Sequence, residues 1–172
     1  MELCMAHTAY LSLGSNLGDR EANLREAVDG LSALGEIAAV SSLYETEPVE
    51  VLDQPSFLNI AAALKTELAP RDLLREILTV EKTMGRTRTR PKGPRTIDID
   101  IIFYDDAVSE EPGLTLPHPA MHRRMFVLAP LTEIAPNLVH PRFHRKISEL
   151  RDELGGTGQT VLRLYAPWAS NV

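Results

Sequence analysis

The stretch Thr96–Tyr104 constrains this chain more than any other. Ile97, Ile99, Ile101 and Phe103 alternate with Asp98 and Asp100. That is the period-2 pattern of a strand with one apolar and one polar face. Residues 9–14 read as a second strand, with Tyr10 and Ser12 set against Leu11 and Leu13. Residues 37–46 and the run from Phe57 to about Glu67 read as two more, joined by a Pro-bearing loop from Glu47 to Ser56.

Two helices fall between these strands. Asp19 is an N-cap for one reaching about Leu34, with Leu24, Val28, Leu31 and Leu34 as its apolar stripe and Gly35 as its stop. Pro70 suits the first position of the other. Its buried face is Leu73, Leu74, Ile77, Val80 and Met84, and Gly85 is its C-cap. The order β-α-β-β-α-β predicts an α+β, ferredoxin-like antiparallel sheet with both helices on one face. Beyond residue 117 the pattern predicts a short helix near Ala120–Leu128, then a C-terminal extension of minor β or irregular structure.

A length of 172 residues fits one domain, residues 1–172. One cysteine, Cys4, excludes a disulfide framework and a Cys-rich zinc site. No apolar run approaches a membrane span, and Glu2, His7 and Thr8 break any signal-peptide pattern. The expectation is a cytoplasmic protein without membrane contact, and a monomer, since no apolar stripe is left over. The net charge of −6 argues against general nucleic-acid affinity. Locally the sign reverses. Arg86, Arg88, Arg90, Lys92 and Arg95 against Asp98 and Asp100 give residues 86–100 a charge of +3, leaving −9 for the rest. One basic loop on an acidic body points to a local anionic ligand.

Asp98 and Asp100 lie two residues apart on one strand face, where like charges repel. Such a pair is commonly a solvated polar face. A divalent cation is the functional alternative, and Mg²⁺ takes one or two carboxylates plus water and substrate phosphates. Arg95 and the basic loop beside them describe a polyphosphate site. The loop itself is either plain solvated charge or a cover that closes over phosphates. His118 sits between Pro117 and Pro119, a structural histidine or a hydrogen-bond partner for a phosphate or ribose oxygen. Arg124 and Phe126 follow as an anion partner and a stacking surface. Phe57 and Asn59 alternate with Leu58, an aromatic and an amide that suit a planar heterocycle or simply a core. No P-loop, Gly-x-Gly-x-x-Gly, His-Glu-x-x-His or Gly-x-Ser-x-Gly motif is present.

The runs Tyr10–Gly18, Tyr44–Pro48, Asp53–Asn59, Gly93–Ile101, Leu116–Pro119 and Phe126–Leu131 together resemble the 6-hydroxymethyl-7,8-dihydropterin pyrophosphokinase family, in unbroken order from about residue 9 to 141. The resemblance implies transfer of pyrophosphate from ATP to the pterin hydroxymethyl group, with release of AMP, in folate biosynthesis. It implies two Mg²⁺ ions on Asp98 and Asp100, with Arg86 and Arg95 as catalytic arginines. Leu74, Glu81, Arg88, Arg90, Ile101, Leu114, Thr115, His118 and Arg124 match ATP contacts. Gly14, Thr46, Glu47, Val49, Phe57, Asn59 and Phe126 match pterin contacts, the two phenylalanines sandwiching the ring.

The chain departs from the family at several positions. Pro91-Lys92 replaces a common Arg-Trp, which removes an aromatic lid over the pterin. Glu47, Leu78, Gly113 and Pro119 stand where Pro, Gln, Arg and an aromatic are frequent. Three rivals stay open at this level. An RNA-recognition module shares the element order, but it would carry aromatics and basic charge where this chain carries aspartates. A different Mg²⁺-dependent transferase would differ in its product. An inactive relative would have no need of both aspartates, Arg86, Arg95 and His118.

Overall fold

The computed structural model describes residues 6–47, 53–85, 94–159 and 161–164. Strands β1 (His7–Ser15), β2 (Glu36–Val40), β3 (Tyr44–Thr46), β4 (Phe57–Thr66) and β5 (Asp98–Tyr104) build one antiparallel sheet with β8 (Val161–Arg163). The order across it is β5-β1-β4-β3-β8, and β2 also pairs with β4. The single strand expected over 37–46 is therefore two. Ser41 to Leu43 interrupt it, and the buried Ser41 hydroxyl takes the Ala61 N–H instead of a ladder carbonyl. β6 (Ser109–Glu111) and β7 (Leu114–Leu116) form a separate hairpin.

Helices α1 (Arg20–Ser32) and α2 (Pro70–Thr83) lie on one face, as the element order requires. Asp19 caps α1 by accepting from Ala22 N at 3.1 Å. Leu24, Ala27 and Leu31 of α1 and Leu73 and Ile77 of α2 close over Leu11, Leu13, Ile60, Leu64, Ile97 and Ile99. α1 ends at Ser32 with Ala33 as its C-cap, short of Leu34, so Gly35 is not its stop. Gly35 is instead required where the chain enters β2, since a Cβ there would collide with the Lys65 carbonyl oxygen on β4.

The C-terminal part is more regular than the sequence pattern predicts. A 3₁₀ turn (Met121–Arg123) leads into α3 (Met125–Ile134), then α4 (Ile147–Leu154). The helix expected over 120–128 thus begins later and runs past Pro130. Pro130 costs one backbone bond, but Val127, Leu128 and Leu131 around it are buried, and that burial outweighs the loss. α3 and α4 cover the opposite face through Ala61, Ile102, Phe103, Met121, Val127, Leu128, Leu131, Ile147 and Leu150. The extension therefore turns a two-layer arrangement into three layers.

One expectation for β5 fails in an informative way. The register against β1 shifts between Tyr10 and Leu11, so that Ile101 faces Leu11, Phe103 faces Tyr10 and Ile102 is the extra residue. This bulge sends Ile102 and Phe103 together to the α3–α4 side, while Ile99, Ile101 and Tyr104 stay with α1 and α2. Phe103 does not share a face with the isoleucines. Among the described residues no helix is long and apolar enough to cross a membrane.

Candidate functional site

The site is built on the α3–α4 face of the sheet, where the strands carry polar residues. Cross-strand partners share a face, so register alone assembles two rows. Asp98, Gly14, Asn59 and Tyr44 form one row across β5, β1, β4 and β3. Asp100, Ser12 and Ala61 form the next. Asp98 and Asp100 thus face the same side, both half-buried.

Gly14 is the low point between the carboxylates and the amide. A Cβ there would meet Asn59 Oδ1 at 2.7 Å and the Phe57 ring at 3.4 Å. Asn59 is buried and donates through Nδ2 to Thr46 Oγ1 at 2.6 Å. Its Oδ1 lies over Gly14. Phe57 is half-buried two residues earlier on β4, opposite Thr46.

Arg95 links the two ends of this surface. Its Nη1 lies 2.9 Å from Asp98 Oδ2, and its Cζ is 5.8 Å from the Phe57 ring centroid. The backbone of Arg95 is held by Asn16, which sequence reasoning noted only as part of a turn. Asn16 is 1% exposed. Its Oδ1 accepts from Arg95 N at 2.8 Å, its own N donates to Arg95 O at 3.2 Å, and its Nδ2 donates to Gln54 Oε1 and Pro55 O at 2.8 and 3.0 Å. One buried amide ties the end of β1, the segment before β4 and the approach to β5. The only sequence signal for it is a polar residue in a Gly- and Ser-bearing turn straight after an apolar strand. Arg20 adds a second tie, reaching Ser56 O and Glu45 Oε2 at 3.0 and 3.1 Å.

His118 follows a cis Leu116–Pro117 bond and is half-buried, with its N–H on Ile102 O at 2.9 Å. Burial first, then the neighbouring Arg124 charge, push its pKa down to about 4 against a smaller opposing pull from Asp98. The ring is neutral at pH 7. Ala120 N donates to its Nδ1 at 3.2 Å, so the proton sits on Nε2, which is free to donate toward an anionic oxygen. Arg124 stacks over Phe126, Cζ to centroid 5.6 Å, and Phe126 packs half-buried on the α3 layer.

The remaining candidates fall elsewhere. Leu74 and the buried Glu81 lie on α2, Leu114 and Thr115 on β7, and Ile101 on β5. Leu74, Ile101 and Leu114 all belong to or pack on the α1–α2 core. β7 touches both α2 and β5, so the elements that carry these five residues adjoin one another. Glu47 is exposed just beyond β3. Arg86, Arg88, Arg90, Val49 and the Pro91-Lys92 pair lie outside the described residues.

The donor chemistry fits Mg²⁺. Two carboxylates on a rigid strand, with open positions for phosphate oxygens, are the usual protein share of such a site. Among the described residues no group of three or more His, Cys, Asp or Glu side chains converges on a metal position.

Comparisons with known proteins agree with this architecture. The model of the family described as 7,8-dihydro-6-hydroxymethylpterin-pyrophosphokinase (HPPK) matches residues 10–136. The 2-amino-4-hydroxy-6-hydroxymethyldihydropteridine pyrophosphokinase of Aquifex aeolicus is 41% identical over 85% of this chain and 91% of its own length. The enzyme of the same name from Bacillus subtilis is 48% identical over 76% of this chain and 79% of its own. The folic acid synthesis protein fol1 of Schizosaccharomyces pombe is 45% identical over 92% of this chain, but the chain spans only 21% of that protein. A crystal structure of HPPK-DHPS in complex with substrates superposes with a TM-score of 0.72 over 87% of this chain and 43% of its own, at 14% identity. That likeness is one of fold. With the sequence matches beside it, the chain belongs to the 7,8-dihydro-6-hydroxymethylpterin-pyrophosphokinase family.

Proposed function

We propose that this chain transfers pyrophosphate from ATP to the hydroxymethyl group of 6-hydroxymethyl-7,8-dihydropterin and releases AMP. One observation carries the reading: the row Asp98–Gly14–Asn59. Two strand spacings, about 10 Å, separate its ends. A bicyclic ring lying over Gly14 would set its amide edge on Asn59 and Thr46 and its hydroxymethyl arm at the carboxylates. Phe57 borders that floor, and Phe126 is offered as the ring's other wall.

The hydroxymethyl oxygen attacks the β-phosphorus of ATP as the bond to the α,β-bridging oxygen breaks. AMP departs with that oxygen. The hydroxyl proton is lost, and Asp100 is the group offered to take it. Mg²⁺ on Asp98 and Asp100 would neutralise phosphate charge and lower the hydroxyl pKa. Arg95 holds a fixed positive charge beside Asp98, where charge builds on the transferring group. Neutral His118 donates from Nε2, and Arg124 supplies a further cation. The group of Leu74, Glu81, Ile101, Leu114 and Thr115 is offered as the nucleotide's resting place, and Arg86, Arg88 and Arg90 as phosphate partners. On this reading the chain acts as a cytoplasmic, single-domain enzyme, and as a monomer, since its own helices cover both faces of the main sheet.

The test is incubation with Mg²⁺-ATP and 6-hydroxymethyl-7,8-dihydropterin, with AMP and ADP quantified. Pterin-dependent AMP that disappears with EDTA is expected. Pterin-dependent ADP would instead make the chain a phosphotransferase on the same scaffold.

A further inference from the structure

Behind the pterin edge lies a polar cluster that the mechanism does not use. β8 pairs with β3 so that Arg163 faces Tyr44 and Val161 faces Thr46. Tyr44 faces Asn59 on the other side. Glu133 of α3 ties together β3, β8 and the Ser42 link that precedes β3. Its Oε1 accepts from Tyr44 Oη at 2.8 Å and lies 3.2 Å from Arg163 Nε, while its Oε2 accepts from Ser42 N at 2.6 Å. Arg163 Nε also donates to Ser42 Oγ at 3.1 Å. The Glu133 side chain is 20% exposed, so these donors rather than bulk water satisfy most of its oxygens. Burial, then the bond to Glu133 and its charge, push the Tyr44 hydroxyl up to about 12, which keeps it a donor at any working pH.

β3 needs such support. It has three residues and is the strand that presents Thr46 to Asn59. A strand this short is held weakly by its ladder alone. Recognition through a 2.6 Å contact degrades quickly when its carrier shifts.

We propose that Glu133 and Arg163 are positioning residues for pterin recognition. They fix β3 from the far end of the same row and make strand β8 part of the substrate site's frame. The proposal rests on the reading of Asn59 and Thr46 as the pterin edge.

Steady-state kinetics of the full chain test it, with Arg163→Ala, Arg163→Lys, Glu133→Gln and Asn59→Ala. Arg163→Ala should raise the pterin KM about tenfold, the scale of one charge-assisted hydrogen bond, and leave the ATP KM unchanged. Arg163→Lys should restore most of that loss. In an Asn59→Ala background, Arg163→Ala should add little. Equal shifts in both KM values, or a lower melting temperature with no KM change, would overturn the proposal. If Glu133→Gln does not fold, the exposed Arg163 still decides. An Asn59→Ala variant with normal pterin KM would remove the pterin edge itself, and the proposal with it. A sensitive Asn59 beside an indifferent Arg163 would remove the proposal alone.

Discussion

Gly14 and Asn59 pair across β1 and β4 so closely that a Cβ on Gly14 would stand 2.7 Å from Asn59 Oδ1. Gly14→Ala must therefore turn the Asn59 amide or push β4 aside, and either costs the bond to Thr46. Overpacking of this kind costs about 1–3 kcal/mol. The pterin KM should rise about ten- to a hundredfold, with ATP affinity retained. Titration of both substrates separates these, and a variant with unaltered pterin binding would mean that the ring does not lie over Gly14.

Asp98 and Asp100 predict the opposite balance of stability and activity. Removing either negative charge relieves repulsion, but Asp98→Ala also strips Arg95 of its 2.9 Å partner, so Asp98→Ala should melt lower than Asp100→Ala. Turnover should fall about a thousandfold or more, the scale of losing one preorganised electrostatic contact or beyond. AMP release alongside thermal melting reads both quantities. Near-normal turnover in either variant would end the metal assignment.

Arg95 and Asn16 separate charge from scaffold. Arg95→Ala keeps the backbone bonds to Asn16 and removes the guanidinium, so kcat should drop about a hundredfold while ATP affinity changes less. Asn16→Ala keeps the guanidinium and strands buried partners, at about 1–3 kcal/mol for each unsatisfied group. Its signature should be a lowered melting temperature together with lost turnover. A pure loss of ATP affinity in Arg95→Ala would contradict its role in the chemical step.

His118 and His140 both titrate near pH 4, in each case chiefly because burial disfavours the charged ring. Their folded pKa values lie below the unfolded value of 6.5. Between pH 6.5 and 4 the unfolded chain therefore binds protons that the native chain refuses, and stability falls as pH falls. His140 is 2% exposed, stacked on Phe143 at 4.0 Å, with its Nδ1 accepting from Arg142 N and Phe143 N. Each pH unit in that window costs about 1.4 kcal/mol for such a group. His140→Asn keeps an acceptor and removes the titration, so its melting temperature should decline less between pH 6.5 and 4.5 than the parent's. An identical decline would place the acid sensitivity elsewhere.

Much of this site was legible because strand alternation places residues on faces. Asp98, Asp100, Asn59 and Phe57 need only a period of two. Asn16, Glu133 and Arg163 were not legible, because their roles depend on which distant segments converge. A lone Asn in a turn and a Glu on an apolar helix carry no periodic signal. The break at Ser41–Leu43 and the helix running through Pro130 were hidden for a related reason. In both places tertiary burial overrode the local pattern.

The bulge at Ile102 has a consequence for chain length. Before it, the α3-facing side of β5 reads carboxylate, carboxylate; from Ile102 onward it reads as apolar core. Deleting one residue there would give a more regular strand and a worse protein. Phe103 would still face α3 and Tyr104 would still face α1 and α2, so what is lost is the buried Ile102 side chain rather than any orientation. A deletion between Asp98 and Ile101 is the severe case, because no bulge absorbs it and it turns Asp98 toward the α1–α2 core. Gaps here should be purged more strictly than in the β6–β7 hairpin that follows.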